Sequence, residues 1–320
     1  MEMVNTTVVH HFTRSLDGSK LIGFIFLAFL VFLTVFGNIL VILAILRTSR
    51  LRTSSNVLII NMACGDILYS VSTLPLSMVL FCFRETDWPL GKIGNIIFDA
   101  TWFSFLVLSF INVVVIALER YIAITKPFLY KTLATKRRVV LLCFALWIYV
   151  AILIFAVTFT FRKPNGITYL FLIPGFPYYA VFIFHSSLAF VFVPFLYAKI
   201  FFVARKHKVE MMKQDFKSRR FFYFQMKATW TIGLIILLFF LVWLPFIIKQ
   251  FLDFEAIYYR GQWDFANSIT CYLTYCNGPV NILVYSCRNS DIRRAILKIL
   301  LPVKNSSMNV ATSRTCSPDI

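Results

Sequence analysis

Hydrophobic residues along this chain come in long unbroken blocks, and the polar stretches between them are short. Seven blocks stand out: 21–46, 56–83, 96–118, 139–161, about 174–198, 228–248 and 265–287. Each is long enough to cross the hydrocarbon core of a bilayer, which takes about 20 apolar residues as a helix. Asp66 in the second block and Asp99 in the third are the clear interior charges. Backbone N–H and C=O groups in lipid must be bonded within the segment, so the blocks predict helices rather than open strands. After the seventh block comes "RNSDIRRAILKILLP". Its Ile292, Ala295, Ile296 and Ile299 fall at helical spacing among Arg293, Arg294 and Lys298, which predicts an amphipathic helix on the membrane surface, stopped near Pro302. The expected fold is all-α: a seven-transmembrane helix bundle at 21–287, then a short amphipathic helix at 288–302. A polar arm at 1–20 and a Ser-, Thr- and Asn-rich tail at 303–320, expected to be disordered, flank them.

Composition supports the choice of solvent. Of 320 residues, 59% are hydrophobic and 14% charged, whereas a soluble domain carries about a quarter charged. The first block is too long for a signal core and no small-residue cleavage pattern follows it, so no cleaved leader is expected. The net charge of +18 is explained by topology. With the amino terminus outside, the inner loops and carboxyl end hold twenty-three of the 32 Lys and Arg, and the outer segments hold eight. The positive-inside rule then sets an extracellular amino terminus and a cytoplasmic carboxyl terminus. Basic inner loops facing the lipid bilayer need no nucleic acid as partner. Asn5-Thr6-Thr7 is a glycosylation acceptor pattern that fits an outside arm, although Asn305-Ser306-Ser307 in the tail repeats the pattern on the other side. The seven Cys show no metal-type spacing, and most lie in the blocks, where a thiol behaves as a small apolar group.

Polar groups inside the spans are costly and face the bundle interior. Asn38, Asp66, Ser109, Asn277 and Asn281 stand out, and Asn277, Asn281 and Tyr285 repeat every four residues on one helix face. Two readings fit Asp66: a neutral carboxyl that is merely hydrogen-bonded, or a small oxygen-lined cation or proton site. Pro75, Pro194, Pro245 and Pro279 lie within spans two, five, six and seven, where each removes a backbone hydrogen bond and can kink its helix. "FFLVWLPF" puts Phe239 and Trp243 beside Pro245, which is either a hinge or plain aromatic packing.

In register along the chain stand "GNILV" in span one, "NMACGD" in span two, "WPLG" before span three and "ERY" at its end. Trp147 follows in span four, Pro194 in span five, "VWLP" in span six and "NILVY" in span seven. On these motifs the chain resembles the rhodopsin-like (class A) G protein-coupled receptors over about residues 20–301. The resemblance implies a receptor that binds an extracellular ligand and activates a heterotrimeric G protein. It implies that Glu119 holds Arg120 at rest, that Arg120, Tyr121, Asn281 and Tyr285 take part in the switch, and that Pro127 and Phe128 contact the G protein. It also implies a sodium pocket of Asp66, Ser109, Asn277 and Asn281 supported by Asn38, and a hinge of Phe239, Trp243 and Pro245.

Several positions depart from the family pattern. Asn95 stands where a cysteine usually begins the outer disulfide, and 161–177 holds no Cys, a double loss shared with melanocortin, cannabinoid and lysophospholipid receptors. Ile282 replaces the usual proline of span seven, with Pro279 three residues earlier. Phe202 replaces a tyrosine low in span five, and Gln225 stands where an acid often pairs with the Arg, so raised basal signalling is expected. Trp102 occupies the position of the amine receptors' aspartate, and Tyr275 that of the opsins' retinal lysine. The usual amine mode and an opsin are therefore disfavoured, while Asp99, one turn higher, remains able to attract a cation.

The expected ligand pocket comprises Asp99, Trp102, Phe103, Leu106, Ser186, Ser187, Phe190, Trp243, Phe246, Ile247, Gln250, Tyr272 and Tyr275. It is aromatic with few polar groups, and the short outer vestibule favours a small molecule or lipid, with a peptide left open. Lys249 is a candidate for an acidic ligand or a snorkelling side chain, and Glu85, Asp87, Asp253 and Glu255 read as solvated rim charges. The alternatives are weaker. A transporter would show internal repeats, and an enzyme would cluster nucleophile and base, which the four His at 10, 11, 185 and 207 do not.

Overall fold

The computed structural model describes residues 18–82, 91–160, 176–211, 216–252, 265–288 and 290–301. The amino-terminal arm with Asn5, the rim acids, the segment after span four, Pro302 and the tail at 303–320 lie outside the described residues. So do the side chains of Asn95, Gln225 and Tyr285.

Every described element is helical. Span one is Gly18–Arg47, span two Ser54–Cys82, span three Gly91–Thr125 and span four Lys136–Thr160. Span five runs Phe176–Ser187, continues through a π-helical turn at Leu188–Phe192 and resumes at Val193–Met211. Span six is Phe216–Leu252. Span seven is Phe265–Tyr275 followed by Asn277–Arg288, and the terminal helix is Ser290–Leu300. Six of these helices are individually long and apolar enough to cross a bilayer, and the divided seventh span completes the bundle. Spans five and six extend well past their apolar blocks.

Local chemistry fixes the ends and bends. Arg52 Nε donates to the Leu46 carbonyl at 2.8 Å, covering a C-terminal carbonyl of span one that has no helical partner. Pro127 begins a seven-residue helix, Pro127–Leu133, at a position where a missing N–H costs nothing. In span five the π turn immediately precedes Pro194, which cannot donate to the preceding turn. In span seven Pro279 cannot donate to Tyr275, and its ring crowds that carbonyl. The helix breaks at Cys276, whose N–H bonds Leu273 instead at 3.0 Å. The kink thus lies before Pro279, and Ile282 sits in regular helix.

Packing follows membrane logic. Phe29, Phe32, Phe144, Ile152 and Phe155 are exposed on the outside, as lipid-facing side chains should be. Inside, Trp147 Nε1 donates to Asn61 Oδ1 at 2.9 Å and Asn61 Nδ2 to Asn112 Oδ1 at 2.8 Å, tying spans four, two and three together. Glycine sets the contact of spans one and seven. A Cβ at Gly37 would lie 2.5 Å from Ile282 Cδ1, so the residue that replaces the family's proline is housed by Gly37. The terminal helix buries Ile292, Ala295 and Ile296 against the same core and leaves Arg294 exposed, paired with Asp291 at 2.7 Å.

Candidate functional site

At the end of span three, Arg120 is only 2% exposed. A buried guanidinium is tolerable only when paired and hydrogen-bonded. Here Glu119 grips it with both carboxylate oxygens, through Nε and Nη2, in the strong bidentate arrangement. Two residues outside the motif complete the cage. Arg120 Nη2 also donates to Ser55 Oγ, at the start of span two. Ser55 Oγ donates to Glu119 Oε1 at 2.7 Å, and the Tyr130 hydroxyl donates to the same oxygen at 2.6 Å from the helix after Pro127. Burial and the nearby Glu119 carboxylate raise the pKa of Tyr130 above its ordinary value, so it stays protonated and donates. Tyr121 is half-buried beside the cage, and Pro127 positions the helix that carries Phe128, which is 83% exposed.

Sequence reasoning found the Glu119–Arg120 pair because it is local, and missed Ser55 and Tyr130 because they arrive from other elements. It also noted the hydroxyl lost at Phe202 low in span five, but not the one that Tyr197 carries. Phe202 is 67% exposed and points away from the bundle. Tyr197, five residues earlier, has a buried hydroxyl with no hydrogen bond and lies within electrostatic reach of both Arg120 and Glu119. Its ring packs on span six, 3.0 Å from where a Cβ at Gly233 would sit.

A second polar centre lies deeper. A cavity with about 20 Å³ open to the centres of water molecules, enough for roughly one, is lined by Asp66, Ser109, Asn277 and Trp243. Thr34, Ser70, Thr274 and Gly278 complete its polar and close-packed wall. Asn281 Nδ2 donates to Asp66 Oδ2 at 3.0 Å. Asn38 is fully buried and donates its amide to the carbonyl of Thr34, a residue of the cavity wall, at 2.9 Å. Of the residues expected to form a sodium pocket, Asp66, Ser109 and Asn277 therefore share the cavity, Asn281 holds the carboxylate from one side, and Asn38 stiffens the wall. The Asn277 side-chain oxygen has no hydrogen-bond partner. One carboxylate with hydroxyl and amide oxygens fits a hard monovalent cation. Among the described residues no group of three or more His, Cys, Asp or Glu could hold a metal ion, so the donor set does not suit a transition metal.

Above that cavity the expected ligand residues form an aromatic cluster. Trp102, Leu106, Trp243 and Tyr275 line the roof of the same cavity. Trp102 and Phe246 rings are 5.7 Å apart, and Tyr272 meets Tyr275 edge-on at 6.1 Å. Phe103, Ile247, Ser186 and Gln250 are buried, Phe190 is half-buried, and Asp99 is 5% exposed. Ser187 is exposed and is not brought into the cluster. Of the residues expected to form a hinge, Phe239 and Trp243 have rings 5.9 Å apart, and Pro245, two residues after Trp243, is half-buried. Phe110, which the sequence did not single out, lies at the centre. It is fully buried and touches Phe182, Phe190, Phe239 and Trp243.

Comparison with known proteins agrees with this arrangement. The family model of the seven-transmembrane receptors of the rhodopsin family matches residues 37–285. Among similar proteins, an alpha-1A adrenergic receptor of Oryzias latipes is 28% identical, covering 83% of this chain and 64% of the relative. Human trace amine-associated receptor 6 is 29% identical over 91% of this chain and 89% of its own length. Trace amine-associated receptor 9 of Mus musculus is 30% identical over 84% of this chain and 81% of its own. The chain therefore belongs to the rhodopsin family of seven-transmembrane, G protein-coupled receptors, multi-pass proteins of the plasma membrane.

Proposed function

We propose that the chain carries an extracellular signal to a heterotrimeric G protein, with its amino terminus outside and its carboxyl terminus in the cytoplasm. The cage around Arg120 supports this reading most directly. At rest Glu119 and Ser55 satisfy the buried guanidinium, and Tyr130 holds Glu119 in place. A movement of span six that uncovers this end frees Arg120, and the partner's contacts replace those of the cage. Phe128, apolar and exposed beside the cage, is the anchor for that partner. Nucleotide exchange on a purified G protein, with the receptor in lipid nanodiscs, tests the proposal. Exchange that is lost in Arg120→Ala and reduced in Phe128→Ala supports it, and exchange unaffected by either substitution refutes it.

The ligand is a small organic cation. The amine-named relatives and the buried carboxylate of Asp99 favour this class over a lipid or peptide. Trp102 fills the level one turn below, so the cation sits higher than a span-three partner at position 102 would place it, with aromatic faces beneath it. A panel of small amines that raises second-messenger output in wild type but not in Asp99→Asn supports the assignment. Equal responses in the two would remove Asp99 from it. Asp66, with Ser109 and Asn277, holds a monovalent cation such as sodium in the resting bundle.

A further inference from the structure

Serine and threonine in a helix commonly return their hydroxyl to a carbonyl three or four residues back. Ser72, Ser104 and Thr125 do so in this bundle, at 2.6, 2.6 and 2.7 Å. Thr34 and Ser70 do not. Both are buried, at 2% and 1% exposure, and neither hydroxyl has a hydrogen-bond partner. Both line the cavity that contains Asp66.

Thr34 reaches that cavity only because residue 278 has no side chain. A Cβ built on Gly278 would lie 2.5 Å from Thr34 Cγ2 and 3.1 Å from Thr34 Oγ1. Any other residue at 278 would push the threonine back. Gly278 directly follows Asn277, which also lines the cavity and whose side-chain oxygen is also without a partner. Thr34 of span one and Asn277 of span seven therefore line the same small cavity as Asp66, and each carries a buried oxygen with no hydrogen-bond partner.

We propose that Thr34, admitted by Gly278, is an oxygen ligand of the cation held at Asp66, directly or through one water, so that the ion ties span one to span seven. This rests on the reading of the Asp66 cavity as a monovalent cation site, and adds span one to it. A hydroxyl oxygen supplies a hard, neutral donor, which suits sodium beside a single carboxylate. The same contact makes the ion sensitive to the kink at Cys276, because span seven moves Asn277 and Gly278 against Thr34 when it bends.

The test is a melting experiment on the purified receptor in nanodiscs, titrating sodium chloride against choline chloride at constant ionic strength. Wild type is expected to melt higher as sodium rises. Thr34→Val keeps the shape and loses the oxygen, and should need roughly three- to tenfold more sodium for half the effect, the scale of one hydrogen-bond-like contact. Thr34→Ser should behave as wild type, which separates the oxygen from packing. If Thr34→Val melts too low to titrate, Thr34→Ala is read in the same way. A wild-type sodium response in Thr34→Val, with none in Asp66→Asn, would overturn the role of Thr34 and leave the cation site standing. No sodium response in wild type would overturn both.

Discussion

Ser55 shows how much a single hydroxyl can carry. It accepts from Arg120 and donates to Glu119, so it is wired to both partners of the charge pair. A hydrogen bond to a charged group is worth about 1.5–3 kcal/mol, and losing it only in the resting state shifts the resting–active balance about tenfold or more. Ser55→Ala and Tyr130→Phe should therefore each raise ligand-free signalling at matched surface level. Unchanged output in both would mean that the cage does not hold the resting state. Glu119→Gln should go further and also lower the melting temperature, because it leaves Arg120 buried with a weaker partner, a loss of about 3–5 kcal/mol at the upper end. Little of this cage was legible in the sequence. Glu119 and Arg120 are adjacent and announce themselves, but Ser55 lies 64 residues from Glu119 and only the packing of spans two and three brings it there. Tyr197 was missed for a related reason: its approach to Arg120 and Glu119 depends on how span five packs against span three, which spacing within span five does not show.

The shape of span seven depends on its proline. Pro279 is visible in the sequence and a kink was expected from it, yet the break falls at Cys276, where the lost donor and the crowded carbonyl act together. Beyond the break, Ile282 needs room that a proline would not, and Gly37 supplies it. That pairing could not be read from either residue alone. Gly37→Ala should cost about 1–3 kcal/mol, the usual range for overpacking, seen as a lower melting temperature of the purified receptor. Ile282→Val removes the Cδ1 atom that would meet the new methyl and should recover part of the loss in the double variant. Simply additive losses would mean that the two residues are not in contact. The aromatic core behaves similarly. Phe110→Ala should cost about 3–5 kcal/mol and loosen Phe239 and Trp243 together.

For the whole molecule, lipid is the solvent that makes the sequence readable. Seven apolar blocks gave the number and order of spans, and the amphipathic spacing at 292–299 gave the terminal helix, because those patterns depend only on what surrounds each helix. Contacts between helices were less legible, since a lipid-facing and a buried apolar residue look alike in sequence. The polar minority was the exception. Asp66, Ser109, Asn277 and Asn281 converge as expected, because a membrane leaves such groups little choice but to meet. The raised basal activity expected from Phe202 and Gln225 has a structural counterweight in the cage of Ser55, Glu119 and Tyr130. Basal output should therefore be modest but real. The most direct test is second-messenger output without ligand, in cells expressing wild type, Ser55→Ala and Arg120→Ala at equal surface level. Wild type should stand above mock cells, Ser55→Ala higher still, and Arg120→Ala at the mock level. Output that persists in Arg120→Ala, or that falls in Ser55→Ala, would contradict a switch built on the release of Arg120.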